Sequence, residues 1–425
     1  MQEGLQTRFT IHQILRELKT SNLSFDEVFE KKIKNKGFSI SDKRFIYTVV
    51  LNAMRNYIYI DKIISKFSKK RKELNDTYFL LLSAVTQLLI LDFKDFAVVN
   101  STVELVKEKK VRAPANFING ILRNIIRNKY NLLKIPIEFM HLPSWFKKRV
   151  FWHTKQKKDF LNTIREEPNL HLVFKNKKNI NNIDYNFIKT TKHSIAIKNR
   201  NLIEKIEGYN EGIWWVQDFS AMLPIYLLNN IKNKNVADLC AAPGGKSFQL
   251  ITKGALVTAF EKNIKRVNLM KENFKRLNFD CNIVTQDVLK INNKKKFDIA
   301  ILDAPCSSIG TIRRHPEIFF RNASPNFKKI ISLQNKLLNK TKNLLKNNGL
   351  LIYMVCSFLH EESTNIIKEF LNKNKNYSLQ RFSTKKIKDI DSYIDKDGFY
   401  YVLPSKMKNQ ILTDGFFAAK LKRND

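Results

Sequence analysis

The sequence predicts a multidomain protein: an N-terminal all-α region, a small α+β connector, and a C-terminal α/β domain built on a mainly parallel sheet. Three observations lead there. No glycine occurs from Phe38 to Asn119 and no proline before Pro114, so this region lacks the residues that interrupt helices. Apolar residues within it recur at helical spacing, as at Ile11, Ile14, Leu15 and Leu18, and again at Leu81, Leu82, Val85, Leu88 and Leu89. Beyond Gly212, short apolar runs alternate with helical stretches, the pattern of strands covered by helices.

Taken in order, the helical region covers residues 1–135 and fades near Tyr130, because Pro136 and Pro143 break its periodicity. The apolar run Tyr78 to Phe93 is short for a membrane span and carries Ser83, Thr86 and Gln87, so it reads as a buried helix. Residues 136–212 are mixed: runs such as Leu170 to Phe174 and Ser194 to Ile197 alternate with Lys/Asn-rich spacers, as in a small α+β unit. From residue 213 to 425 the strand candidates are Val236–Leu239, Ala255–Phe260, Asn282–Val284, Phe297–Leu302 and Leu350–Val355. The helices among them are Ile264–Leu277 and Lys328–Leu345. Ligands of such sheets bind beyond the carboxyl ends of the strands, so the residues after each run carry the functional information.

The chain of 425 residues has 76 basic and 39 acidic residues, a net charge of +37. That balance favours a polyanionic partner, with nucleic acid as the default. The abundance of Lys, Asn and Ile expected of an AT-rich genome would raise the charge without any functional demand, and the two explanations weigh about equally. Cys240, Cys281, Cys306 and Cys356 are too few and scattered for a disulfide scaffold, and none forms a C-x-x-C pair. No structural zinc site is expected, and reduced thiols suit a cytoplasmic protein. The residues from Met1 to Gln13 lack the apolar core of a signal peptide.

The first strand ends in Asp238-Leu239-Cys240-Ala241-Ala242-Pro243-Gly244-Gly245-Lys246-Ser247. Adjacent glycines after a strand let the backbone approach a ligand, and the helix that follows offers free amides. Gly245-Lys246-Ser247 matches the end of a P-loop, but that motif needs glycine where Cys240 stands, which makes an NTPase a poor second choice. Glu261 ends the second strand, where a carboxylate commonly accepts the ribose hydroxyls of a nucleoside cofactor. Asp287 follows the third and suits an adenine amine. The fourth ends in Asp303-Ala304-Pro305-Cys306-Ser307, and the fifth in Val355-Cys356-Ser357. One strand-end cysteine is usually a small buried hydrophobe; two in one sheet point to a shared pocket.

These residues resemble the NOL1/NOP2/Sun family of RNA cytosine-C5 methyltransferases, and in particular its bacterial members that act on small-subunit ribosomal RNA. The family's cofactor loop is seen as Cys240 to Lys246, its D-A-P-C-S motif as Asp303 to Ser307, and its Cys-Ser strand end as Cys356-Ser357. The run Arg313-Arg314-His315-Pro316-Glu317, the late Asp414-Gly415-Phe416-Phe417, and Val216-Gln217-Asp218 with Ser220-Ala221 look similar as well. Phe117-Ile118-Asn119-Gly120-Ile121-Leu122-Arg123 resembles the signature of a NusB-like helical domain, and Pro143-Ser144-Trp145 the start of the segment after it. The resemblance thus implies a NusB-like RNA-binding domain over 1–135, an RRM-like connector over 136–212, and a Rossmann-like class I methyltransferase domain over 213–425.

It also implies S-adenosylmethionine as cofactor and 16S rRNA, or a small-subunit assembly intermediate, as partner. No metal and no membrane are implied, and monomer is the default state. Cys356 would be the nucleophile at cytosine C6, Cys306 would assist proton removal and product release, and Asp303 would face N3 and the exocyclic amine. Cys240, Ala241, Ala242, Pro243, Gly244, Gly245 and Lys246 would hold the methionine part of the cofactor, Glu261 the ribose and Asp287 the adenine, with Asp303 beside them. Arg313 and Arg314 would contact RNA phosphate. Two alternatives stand beside this reading. A DNA cytosine-C5 methyltransferase would use the cysteine of its Pro-Cys motif, here Cys306. A catalytically silent rRNA-binding assembly factor has one feature in its favour: Val355, where the family usually has Thr. Val is nearly isosteric with Thr, and Glu361-Glu362-Ser363 in place of Glu-Glu-Asn is a minor departure.

Overall fold

In the computed structural model, residues 3–68, 75–198, 203–292, 296–384, 387, 390–407 and 411–425 are described. The chain divides into two compact units: Met1–Arg165 with Ile312–Pro325, and Glu166–Thr311 with Asn326–Asp425.

The first unit is helical. Its longer helices include Glu3–Thr20, Phe25–Ile33, Ile40–Arg55, Tyr57–Phe67, Asp76–Val85, Asp95–Lys107 and Ala115–Arg127. Two of them begin at capping boxes, Ser24 with Glu27 and Ser39 with Asp42, in which side chains satisfy the amides a helix start leaves open. In Ala115–Arg127, Ile118, Ile121, Leu122 and Ile125 form one buried stripe, the i, i+3, i+4, i+7 pattern of an amphipathic helix. The apolar run from Tyr78 is the helix Asp76–Val85 continued by a π-turn over Thr86–Ile90, buried throughout except near its ends. Among the described residues no helix is long and apolar enough to cross a membrane.

The unit does not end at residue 135. The helices Ser144–Lys147 and Thr154–Thr163 belong to it, and so does Ile312–Pro325, from far along the chain. Phe146 stacks on Phe160 and meets Phe319 edge-on, with centroids 5.5 and 5.0 Å apart. Polar contacts fix the inserted segment too. Arg55 Nη2 donates to Arg313 O at 3.1 Å, and Asn322 N donates to Lys19 O at 3.0 Å.

In the second unit, β1 (Leu170–Phe174), β2 (Phe187–Thr191), β3 (Ser194–Ile197) and β4 (Trp214–Val216) form an antiparallel sheet ordered β2-β3-β1-β4. Its described connections include 3-10 turns at Lys177–Asn182 and Ile203–Lys205. The expected connector over 136–212 is therefore not a separate body: its first part packs with the helices and its sheet with the domain that follows.

That domain contains β5 (Asn235–Leu239), β6 (Leu256–Glu261), β7 (Asn282–Thr285), β8 (Phe297–Asp303), β9 (Leu345–Val355), β10 (Tyr377–Gln380) and β11 (Tyr400–Val402). After the small hairpin of β12 (Ser405–Lys406) and β13 (Leu412–Thr413) comes β14 (Phe416–Arg423). The main sheet runs β10-β14-β9-β8-β5-β6-β7, with β11 also on β14. β5 to β9 are parallel, and β14 is antiparallel to β9 and β10. Strand order reverses between β5 and β8, the switch point where an open α/β sheet leaves a crevice for ligands. The five parallel strands and the helices Ile264–Arg276 and Phe327–Lys342 lie where the apolar runs placed them.

Candidate active site

At the end of β5 the backbone turns through Cys240 (φ 61°) and Gly244 (φ 111°) into the helix Gly245–Thr252. Gly244 is required twice over. Its φ is left-handed, and a Cβ there would lie 2.5 Å from Phe248 Cζ. Below the loop, the fully buried Asp238 accepts a hydrogen bond from Ser247 Oγ at 2.6 Å. Burial pushes its carboxyl up to about 7, against the effect of Ser247.

Glu261 closes β6. Its Oε1 accepts from Asn263 N at 2.9 Å, while Oε2 is buried, 3.3 Å from Arg266 Nη1 and without a hydrogen bond. Arg266 Nη2 also donates to Ala242 O at 2.5 Å, so this guanidinium ties β6 to the glycine loop. Asp287, after β7, caps the turn Val288–Lys290 and accepts from Leu289 N at 3.0 Å. Cys240, Glu261, Asp287, Phe260 and Pro305 line one cleft at these strand ends. An under-bonded buried carboxylate, a second carboxylate and apolar walls fit a nucleoside whose ribose hydroxyls donate to Glu261.

The two strand-end cysteines converge. Cys306 Sγ and Cys356 Sγ are 3.2 Å apart, as free thiols, and Ser308 Oγ is 3.5 Å from Cys356 Sγ. Lys246 Nζ donates to Asp303 Oδ2 at 2.6 Å. Burial alone would lower the Lys246 pKa, but the Asp303 carboxylate outweighs it and leaves the pKa raised, so this lysine is a fixed cation. The thiol pair is polarised. Cys356 is pushed below the ordinary thiol value, chiefly by its hydrogen-bonding contact with Cys306, with Ser308 and Lys246 assisting against burial and Asp303. The same bond, together with burial, drives Cys306 well above that value. Of the two thiols, Cys356 is therefore the more readily ionised.

Glu362 holds both cysteine loops. Its carboxylate accepts from Ser307 N (2.7 Å), Ser307 Oγ (2.6 Å) and Ser357 Oγ (2.7 Å). Each serine is the neighbour of one cysteine, so a single buried carboxylate sets the spacing of the thiols. Beneath them, Gly310 N donates to Cys356 O at 3.0 Å and Gly415 N to Gly310 O at 2.8 Å. A Cβ on Gly310 would lie 1.9 Å from Gly415 O. Glu362 stands in the sequence as part of an acidic pair, and only its distance from the Cys-Ser step hinted at this role.

Arg313 is a correction. It is fully buried in the helical unit and cannot reach a phosphate at the surface; Arg314 is partly exposed. Among the described residues no group of His, Cys, Asp or Glu is arranged to hold a metal ion.

A parallel sheet closed by an antiparallel strand, with a carboxylate-lined cleft at its switch point, is the architecture of a class I, Rossmann-like methyltransferase. Residues 225–422 match the family model described as 16S rRNA methyltransferase RsmB/F, and residues 5–127 match that of the NusB family. Among curated relatives, the ribosomal RNA small subunit methyltransferase B of Photorhabdus laumondii is 28% identical, over 77% of this chain and 82% of its own. That of Escherichia fergusonii is 26% identical, over 85% and 90%. Of solved structures, PH0851 superposes with a TM-score of 0.71 at 20% identity, covering 98% of both chains. NSun6 from Pyrococcus horikoshii with SFG gives 0.56 at 15%, covering 66% of this chain and 97% of its own. These two structures share the fold.

Proposed function

We propose that this protein methylates C5 of a cytosine in 16S ribosomal RNA, through a covalent bond between Cys356 and C6 of the base. S-adenosylmethionine, held by the loop Cys240–Lys246 and by Glu261 and Asp287, supplies an electrophilic methyl group. Cytosine C5 is a poor nucleophile in the aromatic ring. Addition of the Cys356 thiolate to C6 breaks the conjugation and leaves C5 electron-rich, ready for alkylation. Asp303, paired with Lys246, accepts from the exocyclic amine and orients the ring.

Cys306 has two successive tasks. As a thiol it stabilises the Cys356 thiolate. Once Cys356 is bonded to carbon its charge is gone, and the influence that held the proton on Cys306 goes with it. Cys306 can then pass that proton to solvent and, as a thiolate, take the one on C5. The electrons of the C5–H bond re-form the C5–C6 double bond as the bond from Cys356 to C6 breaks and the Cys356 thiolate is restored. The base must leave its stack to reach the thiols, which favours flexible or incompletely assembled RNA. Arg314 is the remaining candidate among the two arginines for a phosphate contact.

The observation that carries this reading is the polarised thiol pair, 3.2 Å apart beside the Lys246–Asp303 ion pair. Its test is to incubate the protein with S-adenosylmethionine and unmodified 16S rRNA and to map 5-methylcytosine. One modified cytosine with wild type and none with Cys356→Ala is expected. Undiminished methylation by Cys356→Ala would make Cys306 the nucleophile.

A further inference from the structure

The helical unit contains a cavity of ≈ 560 Å³ that the chemistry above does not use. Lys19, Tyr57 and Lys62 line it from the N-terminal helices, Trp145 from the helix Ser144–Lys147, and Phe319 and Arg321 from the inserted segment. We propose that this cavity is a subsite for one nucleotide of single-stranded RNA, with the phosphate on the lysines and Arg321 and the base against the aromatic walls. The proposal rests on the reading that RNA is the substrate.

Lys19 gives the reason for an anion. It is 3% exposed, donates from Nζ to Phe320 O at 2.6 Å, and lies 3.8 Å from the centroid of Tyr57 and 4.8 Å from that of Phe320. Among the described residues no carboxylate is within ion-pair distance of it. Asp61 also lines the cavity but acts on Lys19 only through space, and it accepts the Tyr78 hydroxyl at 3.0 Å. A buried cation served only by a carbonyl and two ring faces is costly, and burial lowers its pKa to about 8 despite Asp61. An anion entering the cavity would supply the missing counter-charge. Two further cations share the walls: Lys62, which donates to Pro136 O at 3.1 Å and lies 3.5 Å from Glu138 Oε1, a partner an incoming phosphate would compete with, and Arg321, which donates to Leu23 O.

The aromatic walls give the reason for a base. Tyr57, Trp145 and Phe319 line the cavity next to this charge, the pairing of aromatic and cation used for single strands, and Trp145 is the ring most open to a base. The volume falls within the range of about 300–1,000 Å³ typical of small-ligand sites. It admits one nucleotide and not a duplex, and only an unpaired strand can present a free base.

The test titrates the full-length protein, without S-adenosylmethionine, against a labelled single-stranded oligoribonucleotide, reading anisotropy at several salt concentrations. Lys19→Met and Lys62→Glu should each weaken binding about tenfold and flatten the log–log salt slope by about one. Trp145→Leu should weaken binding about tenfold at an unchanged slope, because stacking releases no counterions. Lys62 is partly exposed, so its variant stays informative if Lys19→Met misfolds; thermal melts accompany each. Wild-type affinity and slope in folded Lys62→Glu and Trp145→Leu would overturn the proposal. So would free CMP or inorganic phosphate displacing the oligonucleotide as well as unlabelled RNA does. Because no methyl transfer is read, wild type that binds RNA through these residues without methylating it sinks the cytosine reading and leaves the subsite standing.

Discussion

The two units reach their chemistry by opposite routes. In the second, most of the site's residues end a strand or follow it closely: Glu261 closes β6, Asp303 closes β8 with Cys306 just beyond, and Cys356 follows β9. In the first, the cavity needs Lys19 from one helix and Phe319 from a segment that returns 300 residues later. A parallel sheet brings strand ends together by topology, so local sequence forecasts the site. A helical unit completed by a distant insertion does not allow this.

The sharpest way to break the comparison is at the brace between the cysteine loops. Glu362→Gln leaves one oxygen to accept what two now share, and we expect turnover to fall about 10²-fold, roughly 3 kcal/mol in the barrier. The KM for S-adenosylmethionine should hardly move. A parallel rise in that KM would mean the carboxylate supports the whole domain. Next is the helical stripe. Ile121→Ala should destabilise the helical unit by about 2–5 kcal/mol in denaturant melts, the usual cost of emptying a core position.

Two pH effects sharpen the picture. The Cys356 thiol is depressed, so the acid limb of the kcat/KM profile should lie below that of an ordinary thiol. Removing the S–H donor with Cys306→Ala should move thiolate formation, read by ultraviolet absorbance, to higher pH. A limb that moves down would reverse the assigned donor. Asp238 is raised to about 7 in the folded state, so its contribution to stability is full below the unfolded carboxyl value and is lost as pH rises through 7. Asp238→Asn should flatten stability against pH between about 4 and 7. The smallest effect should come from Cys281→Ala, whose Sγ lies 3.5 Å from Val257 O, away from the thiol pair. Turnover within about twofold of wild type is expected, small against the tenfold that 1.4 kcal/mol would produce.

Much of the second unit was legible for a physical reason. Buried parallel strands read as continuous apolar runs, and β5 to β9 do so. β14 escaped the strand reading because Phe416 to Arg423 mixes apolar and basic residues and pairs antiparallel near the sheet edge. Cys306, Cys356, Glu261 and Lys246 could be named from their places after strands. Glu362 could not, since its partners are serines on two separate loops. The run Arg313-Arg314 read as a surface for RNA because sequence shows charge and not burial. Its neighbours Ile312, Ile318, Phe319 and Phe320 are the apolar residues that carry the segment into a core and take Arg313 with it.

The central claim is that Cys356 attacks and Cys306 releases, and trapping the covalent intermediate tests it most directly. Wild type, Cys356→Ala and Cys306→Ala would each be incubated with S-adenosylmethionine and unmodified 16S rRNA, then run under denaturing conditions to read protein–RNA adducts. The account predicts accumulated adduct with Cys306→Ala and none with Cys356→Ala. Adduct that persists in Cys356→Ala and vanishes in Cys306→Ala would contradict it.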